Sequence, residues 1–241
     1  LRCGAAELPG LLRGLARAGG AGNVTVPHKE RAAGLVDRAT EAVQRTRACN
    51  TFWLEGDDVW GDNTDVAGFR AALAALVDDV AGARVLVLGA GGGARAAVYA
   101  LLEDGADRVE VLARTPGRAE TLARDLDPSG RRVVLIPDAA RLAGERFDLA
   151  VNATPLGLRP GDPLPLALDL GAVPGAVLDL VYAPGETPWV RHARALGARA
   201  ADGLGMLLHQ AAASFARWWG RPAPLEAMRA ALPRAAVPAG G

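Results

Sequence analysis

The sequence predicts an α/β chain built on a doubly wound parallel sheet. Strand-like and helix-like segments alternate through its middle, a glycine-rich turn joins one strand directly to a helix, and amphipathic helical stretches flank this block on both sides. The clearest piece is "ARVLVLGAGGGARAAVYALLEDGADRVEVLAR", Ala83 to Arg114. Arg84 to Leu88 reads as a strand of leucine and β-branched residues and Gly89 to Gly93 as the turn. Ala94 to Glu103 reads as a helix closed by Gly105, and Arg108 to Leu112 as the next strand.

The remaining elements follow from periodicity. Ahead of the block, Leu8 to Ala18 reads as a helix, Asn23 to Val26 as a strand and Phe69 to Val80 as an amphipathic helix. After it come a helix at Pro116 to Leu126 and buried strands at Val133 to Ile136, Phe147 to Asn152 and Ala176 to Val181. Gly205 to Trp219 is helical and carries Leu208, Ala211, Ala212, Phe215, Trp218 and Trp219 at helical spacing, so it needs a large packing partner, which the N-terminal segment is expected to supply. Trp218 and Trp219 cannot share one helix face, which puts one of them at an interdomain or subunit surface. The closing "RAAVPAGG" is expected to fray.

At 241 residues the chain suits one large domain or two modest ones, and with 50% hydrophobic residues it can bury a substantial core. Lys plus Arg and Asp plus Glu are both 27, which argues against nucleic acid or a membrane surface and for a small-molecule partner. Cys3 and Cys49 form neither a disulfide framework nor a zinc site, which fits a reducing cytoplasm. His28, His192 and His209 are spaced too widely for a metal cluster, and no metal is expected. No apolar run approaches the ~18 residues of a membrane span and no secretory leader is visible. The chain begins with Leu1 rather than Met, as a fragment would.

Gly89-Ala90-Gly91-Gly92-Gly93-Ala94 matches G-x-G-x-x-A at a strand-to-helix junction. The first glycine permits the tight turn, the second lets a pyrophosphate approach the backbone, and the helix N-terminus offers free N–H groups. The end of the following strand selects the dinucleotide. An NAD site would place a carboxylate there for the ribose 2′-hydroxyl, whereas this chain has Arg114, Thr115 and Arg118, donors suited to a 2′-phosphate. NADP is the cofactor this implies.

Lys29, in "GNVTVPHKE", is the only lysine among 27 basic residues. Arginine keeps its proton, but a lysine can exchange one when its surroundings permit. Asn23, Thr25 and Lys29 follow one another around Pro27, and "GDNTD" supplies Asp65 just before a helix.

The ordered motifs "NVTVPHKE", "CNTFW" with "GDNTDVAGF", "GAGGGARA", "ART", "NATPLG", "LVYAPGETP" and "DGLGMLLHQAAASFARWWG" resemble the shikimate dehydrogenase family over nearly the whole chain. The resemblance implies a two-domain α/β fold. A Rossmann-type doubly wound parallel sheet for NADP would occupy residues 69–202, and a discontinuous α/β substrate domain residues 1–68 and 203–241. It implies NADP-linked reversible reduction of 3-dehydroshikimate to shikimate in aromatic amino acid and chorismate biosynthesis, by a monomer or homodimer, with Lys29 and Asp65 as the acid–base pair. Thr25, Asn50, Asp65, Tyr182 and Gln210 would contact substrate. Glu41, Thr154, Leu180, Gly203 and Met206 would line the cofactor beside the glycine turn.

Two departures stand out. The family's S-x-S pattern near the chain start, which binds the substrate carboxylate, has no counterpart in "LRCGAAELPG", so roughly the first strand and helix of the substrate domain are expected to be missing and substrate binding to be weak. Ala113 stands where the family usually has Asn before the Arg-Thr pair. Two other readings stay open at this point: a quinate/shikimate dehydrogenase of broader specificity, and a shortened chain that binds NADP without catalysing a reaction.

Overall fold

The computed structural model describes residues 1–168, 173–183 and 185–232; the closing segment expected to fray, Arg234 to Gly241, and Pro184 of "LVYAPGETP" lie outside them. Two sheets organise the chain. The larger has six strands in the order β10-β9-β8-β5-β6-β7, all parallel: β5 (Arg84–Leu88), β6 (Arg108–Leu112), β7 (Val133–Ile136), β8 (Leu149–Asn152), β9 (Ala176–Asp179) and β10 (Arg199–Ala201). Strand order reverses between β5 and β8, the point at which open α/β sheets leave a crevice beyond their carboxyl ends.

Alternation along β5 shows why both faces are covered. Val85 and Val87 join the core beneath α4 (Asp65–Ala74), α5 (Gly92–Glu103) and α6 (Pro116–Leu126). Leu86 and Leu88 face the opposite core, with Phe147 and with Trp189, Val190 and Ala193 of α7 (Pro188–Ala195). A strand apolar on both sides is the signature of a parallel sheet sandwiched by helices.

The smaller sheet, in the order β1-β3-β4-β2, comprises β1 (Gly22–Asn23), β2 (Arg38–Ala39), β3 (Thr51–Glu55) and β4 (Asp58–Asp62). β3 and β4 form an antiparallel hairpin. Leu8, Leu12 and Ala16 of α1 (Leu8–Arg17) share a core with Phe52 and Val59 of this sheet. Short helices α2 (Lys29–Ala33) and α3 (Glu41–Thr46) lie between its strands in sequence, and α8 (Leu204–Trp219) and α9 (Leu225–Ala230) follow the large sheet.

Several expectations shift. The strand expected at 23–26 shortens to β1, because the chain turns at Thr25, whose carbonyl accepts from His28 N at 2.9 Å. The helix expected at 69–80 begins at Asp65 and ends at Ala74. Beyond it, the Asp79 carboxylate accepts from Val80 N at 2.7 Å and Ala81 N at 2.9 Å, a local turn that competes with helix. The chief partner of α8 is α4 rather than the N-terminal segment. A Cβ at Gly68 would lie 2.7 Å from Met206 O and 2.8 Å from Gln210 Cβ, so the missing side chain is what lets the two helices meet. The boundary expected between residues 68 and 69 falls inside α4, which packs on both α8 and α5. Trp219 is the tryptophan left at the surface, 56% exposed and stacked on Phe215.

Candidate active site

Lys29 opens α2 and Asp65 opens α4, and the fold brings their side chains together. Lys29 Nζ donates to Asp65 Oδ2 at 2.5 Å, with the lysine side chain 15% exposed and the aspartate 4%. Asp65 Oδ1 accepts from Asn50 Nδ2 at 2.9 Å. The Asn50 amide is held the right way round, since its Oδ1 accepts from Thr64 N at 2.7 Å while its Nδ2 also reaches Gln210 Oε1 at 3.3 Å. Thr64 Oγ1 lies 3.0 Å from Ser214 Oγ, which accepts from Asn23 Nδ2 at 2.9 Å. A buried ion pair costs desolvation, and removing either partner would strand a charge, so this polar scaffold keeps the pair in one geometry.

The glycine turn forms the facing wall. Gly89 has φ +106°, a left-handed conformation, and a Cβ there would sit 2.9 Å from Ala153 O, where the loops after β5 and β8 touch. Gly91 is the N-cap of the twelve-residue α5, and only Arg118 Nη2, at 4.0 Å, approaches its Cβ direction. Ala90 is buried behind the turn. An open glycine cradle at a helix N-terminus fits a dinucleotide diphosphate. Arg114, Thr115 and Arg118 lie exposed just beyond β6, where they fit a 2′-phosphate. The stem of Lys29 packs on this turn: its Cβ and Cδ would be 3.1 Å from a Cβ on Gly92. The amine and the dinucleotide cradle therefore share one cleft.

The third wall comes from the loops after β8, β9 and β10. Thr154 Oγ1 donates to Asn152 Oδ1 at 2.7 Å. Leu180 Cδ1 lies 3.7 Å from the Cβ direction of Gly93. A Cβ on Gly203 would collide with Leu180 O at 2.3 Å, so only glycine fits there. Met206 is buried one turn before Gln210 on α8.

Three expected residues stand apart from the hydrogen-bonded network. Thr25 is exposed and its hydroxyl takes no part in it; Tyr182 is 41% exposed in the loop after β9; Glu41 is exposed in the first turn of α3. The structure gives Asn23 a partner and adds Thr64, Ser214 and Glu30, which sequence reasoning did not single out. Asn23, Thr64 and Ser214 complete the scaffold, and Glu30 pairs with Arg118. All four lie inside the quoted motifs, but only their contacts distinguish them from ordinary motif residues.

Fold and site together define a class: an α/β pyridine-nucleotide oxidoreductase with a lysine–carboxylate pair set against its dinucleotide turn. The sequence model described as shikimate / quinate 5-dehydrogenase matches residues 72–155, and that of the shikimate 5′-dehydrogenase C-terminal domain matches residues 203–232. The shikimate dehydrogenase (NADP(+)) of Methylocella silvestris is 48% identical over 205 residues, covering 82% of this chain and 70% of the relative. That of Methylobacterium radiotolerans is 45% identical over 223 residues, covering 89% and 78%. Among solved structures, shikimate dehydrogenase from Aquifex aeolicus superposes with TM-score 0.85 at 32% identity over 95% of this chain and 83% of that one. Shikimate 5-dehydrogenase from Thermus thermophilus, in complex with NADP(H) and shikimate, gives 0.81 at 38% identity over 95% and 86%. The chain belongs to the shikimate dehydrogenase family.

Proposed function

We propose that the chain catalyses the NADP-dependent, reversible reduction of 3-dehydroshikimate to shikimate. The observation that carries this reading is the Lys29–Asp65 pair, 2.5 Å apart, with the lysine stem packed against Gly92 of the dinucleotide turn. When bound, NADPH supplies the hydride. The protein's part is the proton: a ketone that accepts hydride becomes an alkoxide, and the Lys29 ammonium both stabilises that charge and donates to it. One N–H of Lys29 already points to Asp65, which leaves two for a substrate oxygen. Asp65 and Asn50 hold the amine in place, while Asn50, Gln210, Thr25 and Tyr182 offer neutral hydrogen-bonding groups to a polyhydroxylated ring.

Arg114, Thr115 and Arg118 hold the 2′-phosphate, Gly89 to Gly93 the diphosphate, and Thr154, Leu180, Gly203 and Met206 the nicotinamide end, with Glu41 at the rim. The small sheet with α1 to α3, α8 and α9 forms the substrate-binding half and the six-stranded sheet with its helices the dinucleotide-binding half, with α4 packed between α8 and α5. The two free thiols suit the reducing cytoplasm. No helix among the described residues is long and apolar enough to cross a membrane.

The test is NADP+ reduction with shikimate, followed by the absorbance of the reduced nicotinamide. Lys29→Arg keeps the charge but removes the exchangeable amine, so turnover is expected to fall about 10²- to 10⁴-fold while the NADP+ dissociation constant stays the same. Near-normal turnover in Lys29→Arg, or none in the unaltered chain, would defeat the assignment.

A further inference from the structure

Asp179, at the carboxyl end of β9, is fully buried, and among the described residues no cation pairs with it. Its oxygens accept from three donors on three segments. Oδ1 receives Asn152 Nδ2 at 2.8 Å and Val181 N at 3.1 Å, and Oδ2 receives Thr187 Oγ1 at 2.7 Å. Burial pushes the carboxyl above its ordinary value, against those hydrogen bonds, and the Asp202 charge adds to the rise. Such a group costs stability relative to a packed apolar side chain, which makes its connections the thing to explain.

Two of the three connections lead to the cleft. Asn152 Oδ1 accepts from both Thr154 N at 3.0 Å and Thr154 Oγ1 at 2.7 Å, so the Asp179–Asn152 bond sets the orientation of Thr154. Val181 carries the second path: its N–H is held by Asp179, its carbonyl accepts from Gly203 N at 3.0 Å, and Leu180 and Tyr182 flank it. Gly203 then begins α8, the helix of Met206 and Gln210. Thr187 carries the third, fixing the far end of the loop by accepting from Val190 N at the start of α7.

We propose that Asp179 is a positioning residue for the nicotinamide end of the cleft, acting through Asn152 on Thr154 and through Val181 on Leu180 and Gly203. This rests on the cofactor site assigned above. The adenosine end, at Arg114 and Arg118 beyond β6, lies outside its connections, so the two ends of the cofactor should respond differently to its loss.

The test compares two probes by equilibrium binding: NADP+, and adenosine 2′,5′-bisphosphate, which has the 2′-phosphate end without nicotinamide. Asp179→Ala is expected to weaken NADP+ about tenfold, the scale of a lost charged hydrogen bond, and to leave the bisphosphate unchanged. Asp179→Asn keeps side-chain volume and an acceptor for Asn152 and Val181, and should recover most of the loss. If Asp179→Ala does not fold, Asn152→Ala cuts the path to Thr154 alone and should show the same selective weakening. Equal weakening of both probes, or of neither, overturns the proposal, because general structural damage does not distinguish the two ends. Absence of shikimate-dependent NADP+ reduction in the unaltered chain would instead count against the assigned reaction and leave the binding comparison readable.

Discussion

Two cysteines show how far burial separates identical side chains. Cys49 is fully buried, donates to Thr51 O at 3.1 Å, and has its thiol pushed up to about 12, chiefly by desolvation. Cys3 is only half-buried. Since the thiolate is the reactive form, a disulfide reagent at neutral pH should titrate one thiol in the native protein and two after denaturation. Rapid modification of both before unfolding would show that Cys49 is not packed as described. Lys29 is the contrasting case, a mostly covered amine held by an aspartate. That the chain keeps a lysine at 29 and arginine elsewhere marked this amine in the sequence, but the Asn50, Thr64, Ser214 and Asn23 links behind its partner did not show. Asparagine and threonine beside a strand end are common turn residues, and only a fold bringing residues 23, 50, 64 and 214 together gives them a shared task.

Between elements, α4 meets α8 closely at Gly68. Gly68→Ala would place a methyl group 2.7 Å from Met206 O and 3.0 Å from Gln210 N, both backbone atoms that no side-chain rotation can move away. The expected cost is about 1–3 kcal/mol of stability, read as a lower unfolding midpoint in urea, with weaker shikimate binding as Gln210 is pushed from Asn50. A midpoint equal to that of the unaltered protein would mean the helices are not in contact there. The parallel sheet was legible because each strand is a short apolar run beside a helix of strong periodicity, and β5, β6, β7, α6 and α8 lie close to where the pattern puts them. The smaller sheet was largely missed. β1 and β2 have two residues each, too few for any alternation, and the β3–β4 hairpin carries Trp53, Glu55, Asp58 and Asp62 among its apolar residues. Their pairing is set by tertiary contacts with α1 and α3 rather than by local pattern.

Across the whole molecule, side chains link the small-sheet elements to the helices of the large sheet. Arg95 on α5 is one, buried, donating to Thr46 O at 3.1 Å and to Asp125 Oδ2 at 2.8 Å. The Arg118–Glu30 ion pair is another, linking the residue after Lys29 to a guanidinium beside Gly91. In the function proposed above, Glu30 would stand beside the 2′-phosphate held by Arg118, so NADP would bind against a neighbouring negative charge that NAD, lacking that phosphate, does not meet. Both side chains are well exposed, at 54% and 37%, which limits the effect to that of surface charges. Glu30→Gln should therefore tighten NADP+ about two- to fivefold and leave NAD+ unchanged, with the gain shrinking as salt screens the original pair. Dissociation constants for both nucleotides at low and high ionic strength check it. Weaker NADP+ binding in Glu30→Gln would show that the carboxylate steers Arg118 toward the phosphate instead of competing with it.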